Sequence, residues 1–112
     1  MKQYTSESQT AKLIELGFAK PKSIEKITYT ERYGCGYESA YSIGELIEML
    51  PLSISSGGNP YLLNIAIGYR RTDWVVRYIG LGINDSCFNC ISTSLVDVLF
   101  DSLVKLKEEG VI

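Results

Sequence analysis

The sequence contains no histidine. Histidine is the commonest general base and a common metal ligand, so its absence removes every Ser–His and Cys–His catalytic pair. The glutamates of the first half show no pairing suited to acid–base catalysis, and Glu45 has a structural role in a helix cap. The sequence therefore argues against an enzyme and predicts no cofactor.

Long apolar runs and a secretion signal are also missing. No stretch approaches the roughly 18 apolar residues that a membrane span needs, and the N-terminal residues lack the apolar core of a signal peptide. We therefore expect a cytoplasmic protein without a membrane partner. Its three cysteines should stay reduced there, and their odd number argues against a disulfide framework.

Charge of either sign is not in excess. Eleven basic and thirteen acidic residues give a net charge of −2, which argues against nucleic acid or an anionic membrane as the main partner. The length of 112 residues, with 46% hydrophobic and 21% charged residues, is typical of one globular domain covering residues 1–112.

Three segments have helical periodicity with start and stop signals. Residues 6–17 begin with a capping box formed by Ser6 and Gln9 and end at Gly17. Residues 42–50 begin with a second capping box, in which Ser42 pairs with Glu45, and end before a proline. Residues 93–109 form the longest predicted helix, with a cap at residue 92 or 93.

Strand patterns occupy residues 24–33 and 61–80. The second stretch predicts a hairpin with a four-residue loop over 70–73. Its predicted cross-strand pairs are Tyr69 with Trp74, Ile67 with Val76, and Ile65 with Tyr78, which form an apolar face. The opposite face would carry Asn64, Ala66, Gly68, Val75, Arg77 and Ile79. Residues 53–60 are expected to form a loop, and residues 80–91 to be irregular.

These elements predict an α+β fold in the order α-β-α-β-β-α. An amphipathic helix must bury its apolar stripe, and a small sheet is its natural partner. The simplest arrangement is a mainly antiparallel, three-stranded sheet with helices packed on one face. Val98 and Val104 widen the apolar surface of the last helix, which indicates either a homodimer contact or a fully buried helix.

The segment Cys87-Phe88-Asn89-Cys90 is a C-x-x-C motif, the spacing of redox dithiols and of zinc ligands. Cys35 would be a third zinc ligand, and Asp85, water or a partner would supply the fourth. However, a thioredoxin-like motif follows a strand in a βαβ unit, and no such pattern precedes this one. Small, half-buried side chains that pack a loop are the simpler interpretation.

Tyrosines and arginines provide the other candidate contacts. Tyrosines are enriched in interfaces, and Tyr33 and Tyr37 belong to a series with Tyr29 and Tyr41 that recurs every four residues. Packing in the core or at a sheet edge is the simpler interpretation of these tyrosines. Arg70, Arg71 and Arg77 cluster at and below the predicted hairpin tip. A basic hairpin can enter a DNA groove, but three arginines on an acidic chain are a weak electrostatic footprint.

Three segments carry a resemblance to known proteins: QTAKLIELGF (9–18), YSIGELIEMLP (41–51) and STSLVDVLFDSLVKLKEEGVI (92–112). Together, in this order, they resemble a set of short proteins encoded by phages and integrated elements of gut bacteria. The resemblance spans nearly the whole chain. It implies a cytoplasmic accessory protein of a mobile element. That set has no established activity, so it implies no catalytic residue.

Three functions remain open at this point. The first is a non-enzymatic module that contacts a protein partner, and Tyr33, Tyr37, Arg70, Arg71 and Arg77 are its candidate contact residues. The second is a thiol-redox or zinc site at Cys87 and Cys90, with Cys35 as an additional ligand. The third is weak nucleic-acid binding through the hairpin arginines.

Overall fold

The structure, a computed structural model, describes residues 2–22, 24–30, 34–68 and 72–112, with the backbone alone over 24–30 and 34–38. Three helices and six strands occupy these ranges. In chain order they are α1 (Glu7–Glu15), β1 (Ile24–Thr30), β2 (Gly34–Ser39), α2 (Ile43–Met49), β3 (Ser53–Ser56), β4 (Asn59–Ile67), β5 (Trp74–Gly80), β6 (Ser86–Ser92) and α3 (Leu95–Glu108).

The strands form two antiparallel sheets. β1 and β2 make a two-stranded sheet, and the other four strands form a second sheet in the order β3-β4-β5-β6. The α+β class predicted from the sequence is confirmed. The predicted three-stranded sheet and the order α-β-α-β-β-α are wrong, because the chain contains additional strands that the hydrophobic pattern does not reveal.

Two of these additional strands lie in segments that were expected to be irregular. Residues 53–60 contain β3 and the start of β4, which are joined at Gly57 and Gly58. Both glycines have positive φ, 58° and 82°, which is the requirement of a tight hairpin turn. β6 has the sequence SCFNCIS, which is poor in the β-branched and aromatic residues that mark strands, so composition conceals it.

The pairing of β4 with β5 is shifted by two positions from the predicted register. Ile67 lies opposite Trp74, Ile65 opposite Val76, and Leu63 opposite Tyr78. The two strands are connected by residues 68–73, and the Gly68 amide donates to the Asp73 carbonyl oxygen at 2.8 Å. A shift of two residues keeps each side chain on its predicted face. Ile65, Trp74, Val76 and Tyr78 pack in or against the core as predicted. Ile67 is instead 59% exposed, and Tyr69 lies outside the described residues.

Helix ends follow the predicted capping chemistry. Ser6 with Gln9 and Ser42 with Glu45 both form complete capping boxes. α1 ends in a Schellman motif, in which the Phe18 amide donates to the Leu13 carbonyl at 3.1 Å. The cap of α3 is Ser94 rather than residue 92 or 93, because β6 continues through Ser92.

α3 is the centre of the core. Its side chains pack with the inward residues Val76 and Tyr78 of β5 and with Leu46 of α2. Val98 is completely buried within one chain, so it gives no support to a homodimer. Within the described ranges, no helix combines the length and apolar character of a membrane span.

The N-terminal segment is attached to two helices. The Thr5 amide donates to the Tyr41 carbonyl at 3.0 Å, and the Tyr41 amide donates to the Thr5 hydroxyl at the same distance. Lys2 forms an ion pair with Asp97 at 2.9 Å, and the Gln9 side-chain amide donates to the same carboxylate oxygen at 2.8 Å. These contacts connect the segment before α1 to the first turn of α3.

Truncation of α3 in the core tests this packing. Leu103 is fully buried, whereas Leu52 is 78% exposed. We expect Leu103→Ala to lower the free energy of unfolding by about 2–5 kcal/mol, because it leaves a cavity. The matched variant Leu52→Ala should change it by less than about 0.5 kcal/mol. Urea denaturation measures both; equal effects would contradict the core assignment.

The Asp97 contacts predict an acid-dependent loss of stability. The hydrogen bond from Lys2 is the main cause of the lowered pKa of Asp97. A carboxyl group whose pKa is lower in the folded state stabilises the fold above its unfolded pKa and loses this contribution as pH falls through the folded pKa. We expect Asp97→Asn to be less stable than the wild type at neutral pH. The two urea midpoints should converge in acid; a constant difference would contradict this.

Candidate functional site

One face of the four-stranded sheet is turned away from the helices. Along β5, Val76, Tyr78 and Gly80 are buried, while the alternate residues Val75, Arg77 and Ile79 are only partly buried. Since α3 packs on the side of Val76 and Tyr78, the alternate residues point to the opposite side. We call this side the outer face and define it by Leu62, Asn64, Ala66, Val75, Arg77, Ile79 and Ile91.

The antiparallel register arranges the outer face in three rows. Leu62 lies beside Ile79 in the first row, and Asn64 lies beside Arg77 in the second. In the third row Val75 lies between Ala66 and Ile91. The first row ends in Ser53 beside Leu62 and in Ser86 beside Ile79. The outer face therefore has a polar row between two rows whose central members are apolar, and Arg77 is the charged member of the polar row.

Arg77 occupies the middle position of β5 and is held from β4. Its Nε–H donates to the Asn64 Oδ1 at 3.4 Å. Among the described residues, no carboxylate forms an ion pair with Arg77 and its terminal nitrogens have no hydrogen-bond partner. The guanidinium is thus oriented by a neutral group, and its terminal donors are available to a ligand.

Two shallow depressions flank Arg77. The first has a volume of about 330 Å³ and is lined by Arg77, Ile79, Ile83, Asn84, Asp85 and Ser86. The second has a volume of about 350 Å³ and is lined by Val75, Arg77, Ser86, Asn89, Cys90 and Ile91. Arg77 therefore borders both depressions.

Exposed apolar side chains accompany this charged group. Leu62 is 43% exposed in the first row, and Ile91 is 63% exposed in the third. The nearby carboxylate of Asp85 is already engaged: the Tyr61 hydroxyl donates to its Oδ2 at 3.0 Å and the Ser86 amide to its Oδ1 at 2.9 Å. Arg77 thus lies between apolar side chains, in the pattern of a protein-binding surface.

The predicted protein-binding residues do not all lie together. Arg77 belongs to the outer face, whereas Tyr33, Arg70 and Arg71 lie outside the described residues. Tyr37 is in β2, opposite Ile27, and belongs to the two-stranded sheet. The strand pairing therefore does not bring Tyr37 and Arg77 together on the four-stranded sheet.

The two cysteines of the C-x-x-C motif lie on β6, not in an irregular loop. Val76 pairs with Cys90 and Tyr78 with Cys87, so two steps along β5 match three along β6. This extra residue is a β-bulge, and Phe88 within it has a φ of 53°. On a regular strand, positions three apart face opposite sides; the bulge turns both cysteines to the core-facing side, where they pack against the core.

This environment does not favour a reactive thiolate. Burial is the main cause of a raised pKa at the Cys87 thiol, and the negative charge of Asp85 adds to it. Burial and Cys87 also raise the pKa of Tyr78 to about 12, and the Tyr78 hydroxyl donates to the Pro51 carbonyl at 2.8 Å. Reactive cysteines require the opposite, a lowered pKa in electropositive surroundings.

The zinc hypothesis receives no geometric support from the described part of the chain. No group of three or more cysteine, aspartate and glutamate side chains gathers there in a metal-binding arrangement. Cys35 is in β2, in the two-stranded sheet, whereas Cys87 and Cys90 are in the four-stranded sheet. The side chain of Cys35 lies outside the described part.

Several outer-face residues were missed from the sequence. Ile91, and Asn89 in the lining of the second depression, fall in the segment predicted to be irregular, because the sequence does not predict β6. Leu62 is absent from the face predicted to carry Asn64 and Arg77, although its spacing from Asn64 places it there. The signal for β6 was the turn-forming pair Asn84 and Asp85, which separates two extended segments.

The thiol environment gives a direct prediction. In a Cys35→Ser/Cys90→Ser variant, Cys87 is the remaining thiol, and we expect its pKa to lie above the ordinary value of about 8.5. Ultraviolet absorbance of the thiolate during a pH titration measures it, and metal analysis of the purified wild type should find no stoichiometric zinc. A pKa below neutrality, or one bound zinc per chain, would restore the redox or metal hypothesis.

No family model matches the chain, and neither a curated protein nor a solved structure matches it. The relation to phage and mobile-element proteins therefore stays a prediction.

Proposed function

We propose that this protein is a non-enzymatic binding module that contacts a protein partner through the outer face of its four-stranded sheet. The observation that carries the proposal is the arrangement around Arg77. A charged side chain with available donors lies between two rows of apolar residues, on the side of the sheet opposite α3. Apolar contact area with a central arginine is the composition that interfaces favour.

The chemistry of the described residues supports binding rather than catalysis. The chain has no histidine, and the raised pKa of Cys87 opposes a nucleophilic thiol. The depressions beside Arg77 are shallow surface features, whereas an active site holds its substrate in a largely enclosed pocket. The outer face therefore offers area and charge for recognition.

The proposal includes the origin that the sequence resemblance implies. A short accessory protein of a phage or mobile element would act in the bacterial cytoplasm by binding another protein, which needs no catalytic group. Nucleic acid is a less suitable partner, because the net charge is −2 and stable binding to phosphates requires several cations. Arg77 also lies in the middle of a strand, away from the predicted basic tip.

Site-specific photocrosslinking tests the proposed surface. A benzoylphenylalanine is placed at Ile91, which is 63% exposed on the outer face, or at Ile14, which is 37% exposed on α1. We expect a discrete covalent adduct with one protein from position 91 and none from position 14, in cells that express the chain naturally. Mass spectrometry identifies the adduct, and binding of the purified partner is then measured.

The isoleucine at position 14 is a matched control, because it is also apolar and exposed but lies on the helical side of the molecule. Equal adducts from both positions would indicate non-specific contact and contradict the proposal. The absence of any adduct from position 91, when the crosslinker-containing chain is folded and expressed, would also contradict it.

A further inference from the structure

We infer that the outer face recognises a carboxylate side chain of the partner, held by Arg77 and flanked by apolar side chains that contact the two apolar rows. This inference rests on the proposed function and specifies the chemistry of the partner. The ligand is a protein segment in which an aspartate or glutamate lies between apolar residues.

The terminal nitrogens of Arg77 are the donors that would bind the carboxylate. The Nε–H of its guanidinium is directed to the Asn64 Oδ1 at 3.4 Å, which leaves the terminal nitrogens as donors. A guanidinium presents its donors in a planar fork that matches the two oxygens of a carboxylate. Asn64 is therefore a positioning residue, which orients this fork without neutralising its charge.

Apolar side chains flank Arg77 along its own strand. Val75 and Ile79 lie two residues before and after it on the same strand, so their side chains are about 7 Å away along the strand on the same face. An extended partner segment has the same spacing between alternate side chains. A sequence with apolar, acidic and apolar residues at alternate positions would thus match Val75, Arg77 and Ile79 in turn.

Charge complementarity selects the acidic partner. Within the described residues, Arg77 has no ion-pair partner. The Asp85 carboxylate keeps its negative charge although Tyr61 and Ser86 donate to it, but it lines only the first depression. The lining of the second depression contains no carboxylate, so the partner's carboxylate fits there. A small anion would satisfy the charge but leave the exposed Leu62 and Ile91 in water. A carboxylate attached to apolar neighbours covers both the charge and the apolar rows, so the face suits a protein segment better than a free anion.

A pair of peptides tests this recognition. The probe is acetyl-Leu-Ser-Glu-Ser-Leu-amide, and its neutral control replaces the glutamate with glutamine. In ¹⁵N and methyl NMR titrations of the whole chain, we expect the acidic peptide to shift the Arg77 Nε–H and the methyl groups of Val75 and Ile79. The neutral peptide should bind roughly tenfold more weakly, because it lacks the charge-assisted hydrogen bonds.

Variants of the chain separate charge from fold. Arg77→Gln should abolish the preference for the acidic peptide, while Lys105→Gln removes the same charge from an exposed position of α3 and should keep the preference. Asn64→Asp is the sharpest variant. It puts a carboxylate beside Arg77 with almost no change of shape, so we expect it to compete with the acidic peptide and weaken its binding roughly tenfold.

Circular dichroism and amide NMR spectra verify that each variant is folded. If Arg77→Gln does not fold, the Asn64→Asp variant and the peptide pair still decide the question. Equal binding of the acidic and neutral peptides, or no binding of either at millimolar concentration, would overturn the inference. Sodium acetate or inorganic phosphate that binds as tightly as the acidic peptide would show a general anion site and would also overturn it.

The peptide experiment can fail without failure of the proposed function. Photocrosslinking from position 91 depends on proximity and not on the charge of Arg77. Adducts from position 91 without a preference for the acidic peptide would leave the binding surface intact and reject carboxylate recognition alone.

Discussion

Burial of α3 against β5 and β6 is the interaction on which the rest of the structure depends. Val96, Leu99 and Leu103 are removed from water and pack in one core with the inward side chains of the sheet. Apolar burial contributes roughly 25 cal/mol per Å², so such a helix determines which side of the sheet is inside. α2 packs with α3 in this core, and the segment before α1 is attached to the first turn of α3 through Asp97. Because α3 packs on the side of Val76 and Tyr78, the alternation of side chains along β5 places Arg77 on the opposite side of the sheet.

The same constraint shapes both candidate sites. On the outer face it leaves Arg77 between apolar side chains, with two shallow depressions beside it. On the inner side, the β-bulge at Phe88 turns Cys87 and Cys90 toward the core. Their C-x-x-C spacing suggests chemistry in the sequence, whereas in the fold both side chains pack against the core and burial raises the pKa of the Cys87 thiol. Exposure and charge therefore favour the outer face over the thiols as the location of function.

Much of the local structure could be predicted from the sequence. The capping boxes at Ser6 and Ser42 were predicted correctly because their hydrogen bonds join residues three positions apart. The inward positions Ile65, Trp74, Val76 and Tyr78 of the β4–β5 hairpin were also correct, although the register was not, since alternation depends only on odd or even position. Ile67, predicted on the same face, is exposed near the end of β4. β6 was missed because its polar sequence resembles a loop, and it becomes a strand by pairing with β5. For the candidate site, Arg77 and Asn64 were assigned to one face in advance, whereas Ile91 and Asn89 were not.

The sequence by itself determined the capping boxes of α1 and α2 and the α+β class, because each of these follows from contacts between near neighbours or from hydrophobic period. Only the tertiary structure decided that four strands share one sheet, that both thiols face the core, and that Arg77 is held by Asn64 between apolar rows. These features depend on pairing between distant segments, where a register shift or a single extra residue changes which side chains meet. Local sequence patterns contain no direct record of such pairings.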